Sequence, residues 1–158
     1  MQTYFENARE IPVAGEYDVI VAGSGPAGTA AAIKAGRMGA KVLLVEWANS
    51  VGGISTSGMM SHWTGDVSSP LYTEILTRMA DKNEGEGHGK ITKVINPEFL
   101  KSIYLEMLTE ANVTLLLYTF VCGVVMEDKR VAGIITESKS GRRAFRAKVF
   151  VDGTGDGD

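Results

Sequence analysis

The stretch Tyr17-Asp-Val-Ile-Val-Ala-Gly23-Ser-Gly25-Pro-Ala-Gly28 constrains this chain more than any other part of it. Val19-Ile-Val-Ala22 is a short, near-continuous apolar run, as a parallel strand buried on both faces requires. Gly23 allows a tight turn out of that strand, where φ can be positive. Gly25 has no Cβ, so backbone there can come close to an anion, and Gly28 lets the following helix pack tightly on the strand. Pro26 suits the first helical turn, where a missing N–H costs nothing. Residues 29–38 are rich in alanine, Lys41-Val-Leu-Leu-Val45 reads as a second buried strand, and Glu46 follows it, 23 residues after Gly23. Strand, glycine turn, helix N-terminus, strand and carboxylate form the order that binds the pyrophosphate and ribose of a dinucleotide. A carboxylate at position 46 can accept both hydroxyls of an adenosine ribose and repels a 2′-phosphate. An ordinary βαβ unit with a solvated glutamate is the plainer alternative.

Glycine accounts for 19 of 158 residues and concentrates at 23–28, 52–65 and 153–157, which implies backbone at close quarters with a ligand. The net charge of −3 and the absence of a basic stripe argue against a nucleic-acid partner. No run of about 18 apolar residues exists to span a membrane. The first ten residues lack the profile of a signal peptide, so the expected location is cytoplasmic. Cys122 is the single cysteine. It rules out an internal disulfide or a thiolate metal cluster, no metal is expected, and its apolar neighbours predict a buried, inert thiol.

Residues 1–16 read as a polar lead-in. Strand 17–22, helix 26–38 and strand 41–45 make the first βαβ unit. Residues 47–66 form a glycine/serine loop, long enough to suggest ordering by a ligand. Helices are expected over about 70–82 and 97–111, the second with Asn96 as N-cap, Pro97 at its first position and Glu98 in its first turn. Residues 83–94 connect them, and 113–117 reads as a third parallel strand. Residues 119–127, 130–138 and 142–149 are three β-rich runs joined by turns at Asp128-Lys129 and Ser140-Gly141. The chain then returns to the parallel sheet at 149–152. The expected fold class is therefore α/β: a Rossmann-like parallel sheet with helices and an antiparallel three-stranded β-meander crossover. No element follows to close it, so residues 17–158 are expected to be the N-terminal part of a larger protein, without its substrate domain.

With these residues in hand, the chain resembles the FAD-dependent oxidoreductases of the glutathione-reductase-like two-dinucleotide-binding class, with fumarate reductase flavoprotein subunits as more distant relatives. The motifs that carry the resemblance are Gly23-Ser-Gly-Pro-Ala-Gly28, Glu46 with Gly52-Gly53, the meander, and Asp152-Gly-Thr-Gly-Asp-Gly-Asp158. It implies FAD as cofactor, with Gly23, Gly25, Ala27 and Gly28 around the pyrophosphate and Glu46 on the ribose. It also implies that Gly52 and Gly53 run beneath the pyrophosphate and ribityl chain, that the loop through Thr56 continues towards the flavin, and that Val121 reads adenine through its backbone. Thr154 and Gly155 match an Ala-Thr-Gly signature near FAD, with Gly153 in place of its alanine. Asp156 either positions a water or ligand or simply stops the strand. The family's later Gly-Asp, which holds the ribityl chain, has no counterpart before Asp158. The rest of the polypeptide is thus expected to complete the site, and any iron–sulfur ligands to lie outside this chain.

For proton transfer the candidate is His62, with Trp63 able to stack on flavin or substrate. The alternatives are a histidine bonded to backbone and a tryptophan filling the core. His88 reads as solvated, Arg37 as a complement to its helix dipole, and Met59 and Met60 as packing residues. Without Cys-x-x-Cys, disulfide-reductase chemistry is not expected. The leading functional reading is hydride or electron transfer by an FAD enzyme on a small-molecule substrate. An NAD-dependent dehydrogenase domain and a non-catalytic nucleotide-binding module are the alternatives.

Overall fold

The computed structural model describes residues 2–5, 7–64, 67–84 and 93–157, so most of the 83–94 connector, His88 included, and Asp158 lie outside the described residues. The elements run β1 (Val13–Ala22), α1 (Pro26–Arg37), β2 (Val42–Val45), a 3₁₀ turn (Gly53–Ser55), α2 (Pro70–Glu84), α3 (Pro97–Glu110), β3 (Thr114–Leu116), β4 (Phe120–Glu127), β5 (Arg130–Glu137) and β6 (Arg143–Asp152). They build one six-stranded sheet in the order β3-β2-β1-β6-β5-β4. The pairs β1–β2, β2–β3 and β1–β6 are parallel, and β4–β5 and β5–β6 are antiparallel. The Rossmann-like sheet and its meander are thus both present. No helix among the described residues is long and apolar enough to cross a membrane.

Two boundaries differ from the sequence reading. β1 begins at Val13 rather than Tyr17, because Val13–Tyr17 pair with Ala144–Ala147 of β6. The third meander run and the return strand are also one strand: β6 continues unbroken for ten residues and pairs with β1 along its length.

Side chains alternate across the sheet and feed two clusters. Val21, Val42 and Leu44 face the helices, where they meet Ile33 of α1 and Leu100, Ile103 and Met107 of α3. Ile20, Leu43 and Val45 face the other way, against Ile134 of β5 and Phe145 of β6. β2 is buried at every position, which explains its uninterrupted apolar sequence. Only Leu117–Thr119 join β3 to β4, although these are opposite edges of the sheet. Hence the sheet curls, and Val121 of β4 shares the second cluster with Leu116 of β3. Cys122 follows Val121 and is half-buried, not buried as the sequence suggests; its thiol points to the Ile135 carbonyl at 3.5 Å.

On α3, Asn96 caps the first turn by accepting from the Glu98 and Phe99 amides at 2.9 and 3.4 Å. The three helices are tied by ions. Arg37 grips Glu74 of α2 with both guanidinium nitrogens, at 2.6 and 2.8 Å. Arg78 of α2 does the same to Glu110 of α3, at 2.8 and 2.6 Å, and also reaches Glu74. Arg37 therefore clamps α1 to α2 rather than serving only its own helix dipole.

The Arg37 guanidinium, backed by Arg78, holds the Glu74 carboxyl down from 4.5 to about 2. Since Glu74 is more acidic folded than unfolded, its contribution is present above pH 4.5 and disappears as pH falls towards about 2. Glu74→Gln is expected to lower stability at pH 7 by about 1 kcal/mol, a value suited to a partly exposed network. Urea unfolding should show the gap from the parent protein narrowing between pH 5 and pH 3; a gap that stays constant would mean the network carries no electrostatic stability.

Candidate functional site

Three glycine-bearing segments meet at the carboxyl ends of β1, β2 and β6. The first leaves β1 at Gly23, whose N–H bonds the Val45 carbonyl at 2.8 Å and whose φ is +87°. A Cβ on Gly23 would lie 2.5 Å from the Gly153 oxygen and 2.8 Å from the Thr154 Cα. A Cβ on Gly28 would collide with the Gly23 carbonyl. These two glycines are dictated by backbone crowding.

Gly25 differs. It is the N-cap of α1, and a Cβ there would meet only the Gly153 oxygen, at 3.8 Å. The space in front of Gly25 is open. Pro26 occupies the first helical position. Ala27 is exposed beside it, and the first-turn amides have no carbonyl one turn below to bond.

The second segment comes from β2. Glu46 is 5% exposed, and its carboxylate is already engaged. Oε2 accepts from the Ser24 N–H at 2.8 Å and the Ser24 hydroxyl at 2.6 Å, while Oε1 accepts from the Ala48 N–H at 2.7 Å. The Ser24 carbonyl in turn accepts from the Gly52 N–H at 2.7 Å and the Thr29 hydroxyl at 2.8 Å. Gly52 and Gly53 both have positive φ, and a Cβ on Gly53 would lie 3.0 Å from the Gly25 Cα, so backbone stacks on backbone. Thr56 is fully buried, with its hydroxyl turned to the Val51 carbonyl at 2.6 Å. The described part of the loop expected to need a ligand, residues 47–64, thus makes hydrogen bonds of its own.

The third segment ends β6. Gly153 donates to the Ala22 carbonyl at 2.7 Å. A Cβ at Gly153 would approach the Gly28 Cα to 2.9 Å, which accounts for glycine where the resemblance leads one to expect alanine. The Asp152 carboxylate accepts from the Thr154 N–H at 3.0 Å and from its hydroxyl at 2.8 Å, and these bonds hold Asp152 below the usual carboxylate range. Thr154 also accepts from the Gly157 N–H at 3.1 Å, closing a small turn through Gly155 and the exposed Asp156.

Over residues 18–158 the chain matches the family described as FAD dependent oxidoreductase. It belongs to that family. FAD is the family's cofactor. Among curated relatives, digeranylgeranylglycerophospholipid reductase 1 of Methanococcoides burtonii is 24% identical over 154 residues, which is 89% of this chain and 38% of that protein. The soluble pyridine nucleotide transhydrogenase of Sodalis glossinidius is 35% identical over 74 residues, 47% of this chain and 15% of that protein. A solved geranylgeranyl bacteriochlorophyll reductase-like protein from Thermoplasma acidophilum superposes with a TM-score of 0.61 at 19% identity, covering 87% of this chain and 39% of that one. That last likeness speaks for the FAD/NAD(P)-binding fold alone. The chain spans under two fifths of the length of the first curated relatives it matches.

Within this member of the FAD-dependent oxidoreductase family, the remaining sequence candidates lie in different places. Val121 is half-buried on β4 with its side chain in the second cluster, two residues after Thr119, whose N–H bonds the Glu46 carbonyl at 2.9 Å. His62 is exposed and forms an isolated bridge with Val94. Trp63 packs against the helical cluster and donates its indole N–H to Ser55 at 3.0 Å. Met59 is 65% exposed, so it is no packing residue, whereas Met60 lines a pocket described below. Ser24 and Asp152 lie within the quoted motifs, but the sequence assigned neither of them a role. An acid followed two residues later by threonine at the end of a strand is a turn signal that could have revealed Asp152.

Gly23→Ala combines a clash with two backbone atoms and an unfavourable positive φ. It should destabilise the protein by at least about 2 kcal/mol, judged from the strain such positions carry. Urea unfolding checks this; a loss under about 0.5 kcal/mol would show that β6 moves away at no cost.

Proposed function

We propose that the open face of Gly25 receives the FAD pyrophosphate and that the protein transfers hydride or electrons on a small-molecule substrate. The observation that carries this reading is the contrast among the glycines: crowded backbone at Gly23, Gly28 and Gly153, but free space at Gly25, at a helix N-terminus. The amides of Ala27 and Gly28, which bond no carbonyl among the described residues, together with the partial positive charge of α1, favour an anion there. Gly52 and Gly53, stacked under Gly25, let a second stretch of backbone approach from below. Thr154 and Gly155, fixed by Asp152, are a third wall, and Asp156 borders it.

Glu46 is the proposed ribose acceptor, with a limit set by its present partners. Two donors fill Oε2 and one occupies Oε1, so one acceptor position remains. One ribose hydroxyl bonds there directly, and a second needs the Ser24 hydroxyl to rotate away. Val121 is the proposed adenine neighbour, consistent with β4 following the Thr119–Glu46 bond. When bound, FAD supplies the redox chemistry; the chain binds and orients it. His62, exposed on a backbone rung that fixes its position, is the proposed proton donor or acceptor, and the rest of the polypeptide is the proposed source of the remaining contacts.

Titration of the purified protein with FAD, followed by flavin fluorescence, tests the reading. Gly25→Ala should leave the urea midpoint unchanged, because its Cβ meets nothing closer than 3.8 Å, yet weaken FAD at least about tenfold by blocking close approach. Unchanged FAD affinity in that variant, or tighter binding of NAD than of FAD by the parent, would sink it.

A further inference from the structure

A pocket of about 380 Å³ opens between the first turn of α1, the 3₁₀ turn, α2 and α3. Its walls are apolar and aromatic: Trp63 and Tyr72 stack with ring centroids 5.6 Å apart and planes 27° apart, with Ile54 and Ile75 beside them. None of its described lining residues carries an ionised side chain. Tyr104 enters from α3. It is 2% exposed and makes no hydrogen bond to another described residue. Burial pushes its pKa above the ordinary value, so the hydroxyl remains protonated and can donate. Ser55, also 2% exposed, accepts the Trp63 indole N–H and still holds a proton of its own to give.

We propose that this pocket binds an uncharged, planar apolar carbonyl compound, its ring system lying against Trp63 and Tyr72 and its oxygen accepting from Tyr104. The volume lies near the lower end for small-molecule sites and suits two or three fused rings. A carboxylate or phosphate would meet no cation among the described lining residues, and burying such a charge unpaired is prohibitive. A hydrocarbon would leave the Tyr104 donor unsatisfied. The carbonyl answers both constraints. Ketone binding and flavin binding are separate measurements, and either can fail alone.

Equilibrium dialysis of the purified protein against 2-acetylnaphthalene, and against 2-ethylnaphthalene of the same shape, tests it. The ketone should bind about tenfold more tightly than the hydrocarbon, the effect expected of one neutral hydrogen bond in an apolar site. Tyr104→Phe keeps the ring and removes only the hydroxyl; it should bring the ketone to the hydrocarbon's affinity and leave the hydrocarbon unchanged. Ala30→Leu, which fills the pocket from α1, should weaken both. The proposal is overturned if neither compound binds, if the parent protein binds both alike, or if a folded Tyr104→Phe protein keeps the preference. Should Tyr104→Phe fail to fold, the preference of the parent protein and the Ala30→Leu result still decide.

Discussion

A carboxylate removed from water at the end of β2 organises the carboxyl edge of the sheet. A buried charge must be paired or fully hydrogen-bonded, and Glu46 takes its donors from Ser24 and Ala48. That requirement draws the glycine turn onto β2. The Ser24 carbonyl then collects Gly52 and Thr29, so the turn, the 3₁₀ segment and the first turn of α1 share one hydrogen-bonded node. Backbone crowding between Gly23, Gly28 and Gly153 fastens β6 to the same point. Very little of this depends on long side chains; backbone amides and carbonyls make most of the bonds.

The two faces of the sheet are stabilised differently. On the helical face, an apolar cluster is bordered by the Arg37–Glu74–Arg78–Glu110 chain, which aligns three helices at their exposed rims. On the other face the curled sheet covers itself, with Ile134 of β5 and Phe145 of β6 in one cluster with Ile20, Leu43 and Val45. A meander can therefore replace a crossover helix without leaving β2 exposed. The backbone proposed to face the cofactor lies at the carboxyl edge of that sheet, beside the N-terminus of α1.

Features set by local chemistry were legible in the sequence. The apolar runs of β1 and β2, the proline at the start of α1 and the Asn96-Pro97-Glu98 cap each announce themselves within a few residues. FAD as cofactor was legible because the glycine turn, Glu46, the Gly52-Gly53 pair and the Thr154-Gly155 end occur together. What escaped depends on partners far along the chain. Val13–Glu16 (Val-Ala-Gly-Glu) carry no strand pattern of their own, and only β6 makes them a strand. Arg37 resembles any cation at a helix end until Glu74 is beside it. Ser24 is an unremarkable residue between two glycines, yet it saturates half of the Glu46 carboxylate. The 47–66 loop looked dependent on a ligand because its internal bonds, such as Thr56 to Val51, follow no short pattern.

The pairing of β1 with β6 has a consequence for how the molecule comes into being. Val13 lies beside Ala144, and Ala22 beside Asp152, so each rung joins residues about 130 positions apart. Closing so long a loop comes late, because its entropy must be met before the contacts reward it. During synthesis, β1, α1 and β2 emerge long before β6 does, and one edge of β1 stays open meanwhile. An open, apolar strand edge is where chains stick to one another. The segment that carries the glycine turn is therefore the part of the newborn protein most in need of shielding until its distant partner arrives.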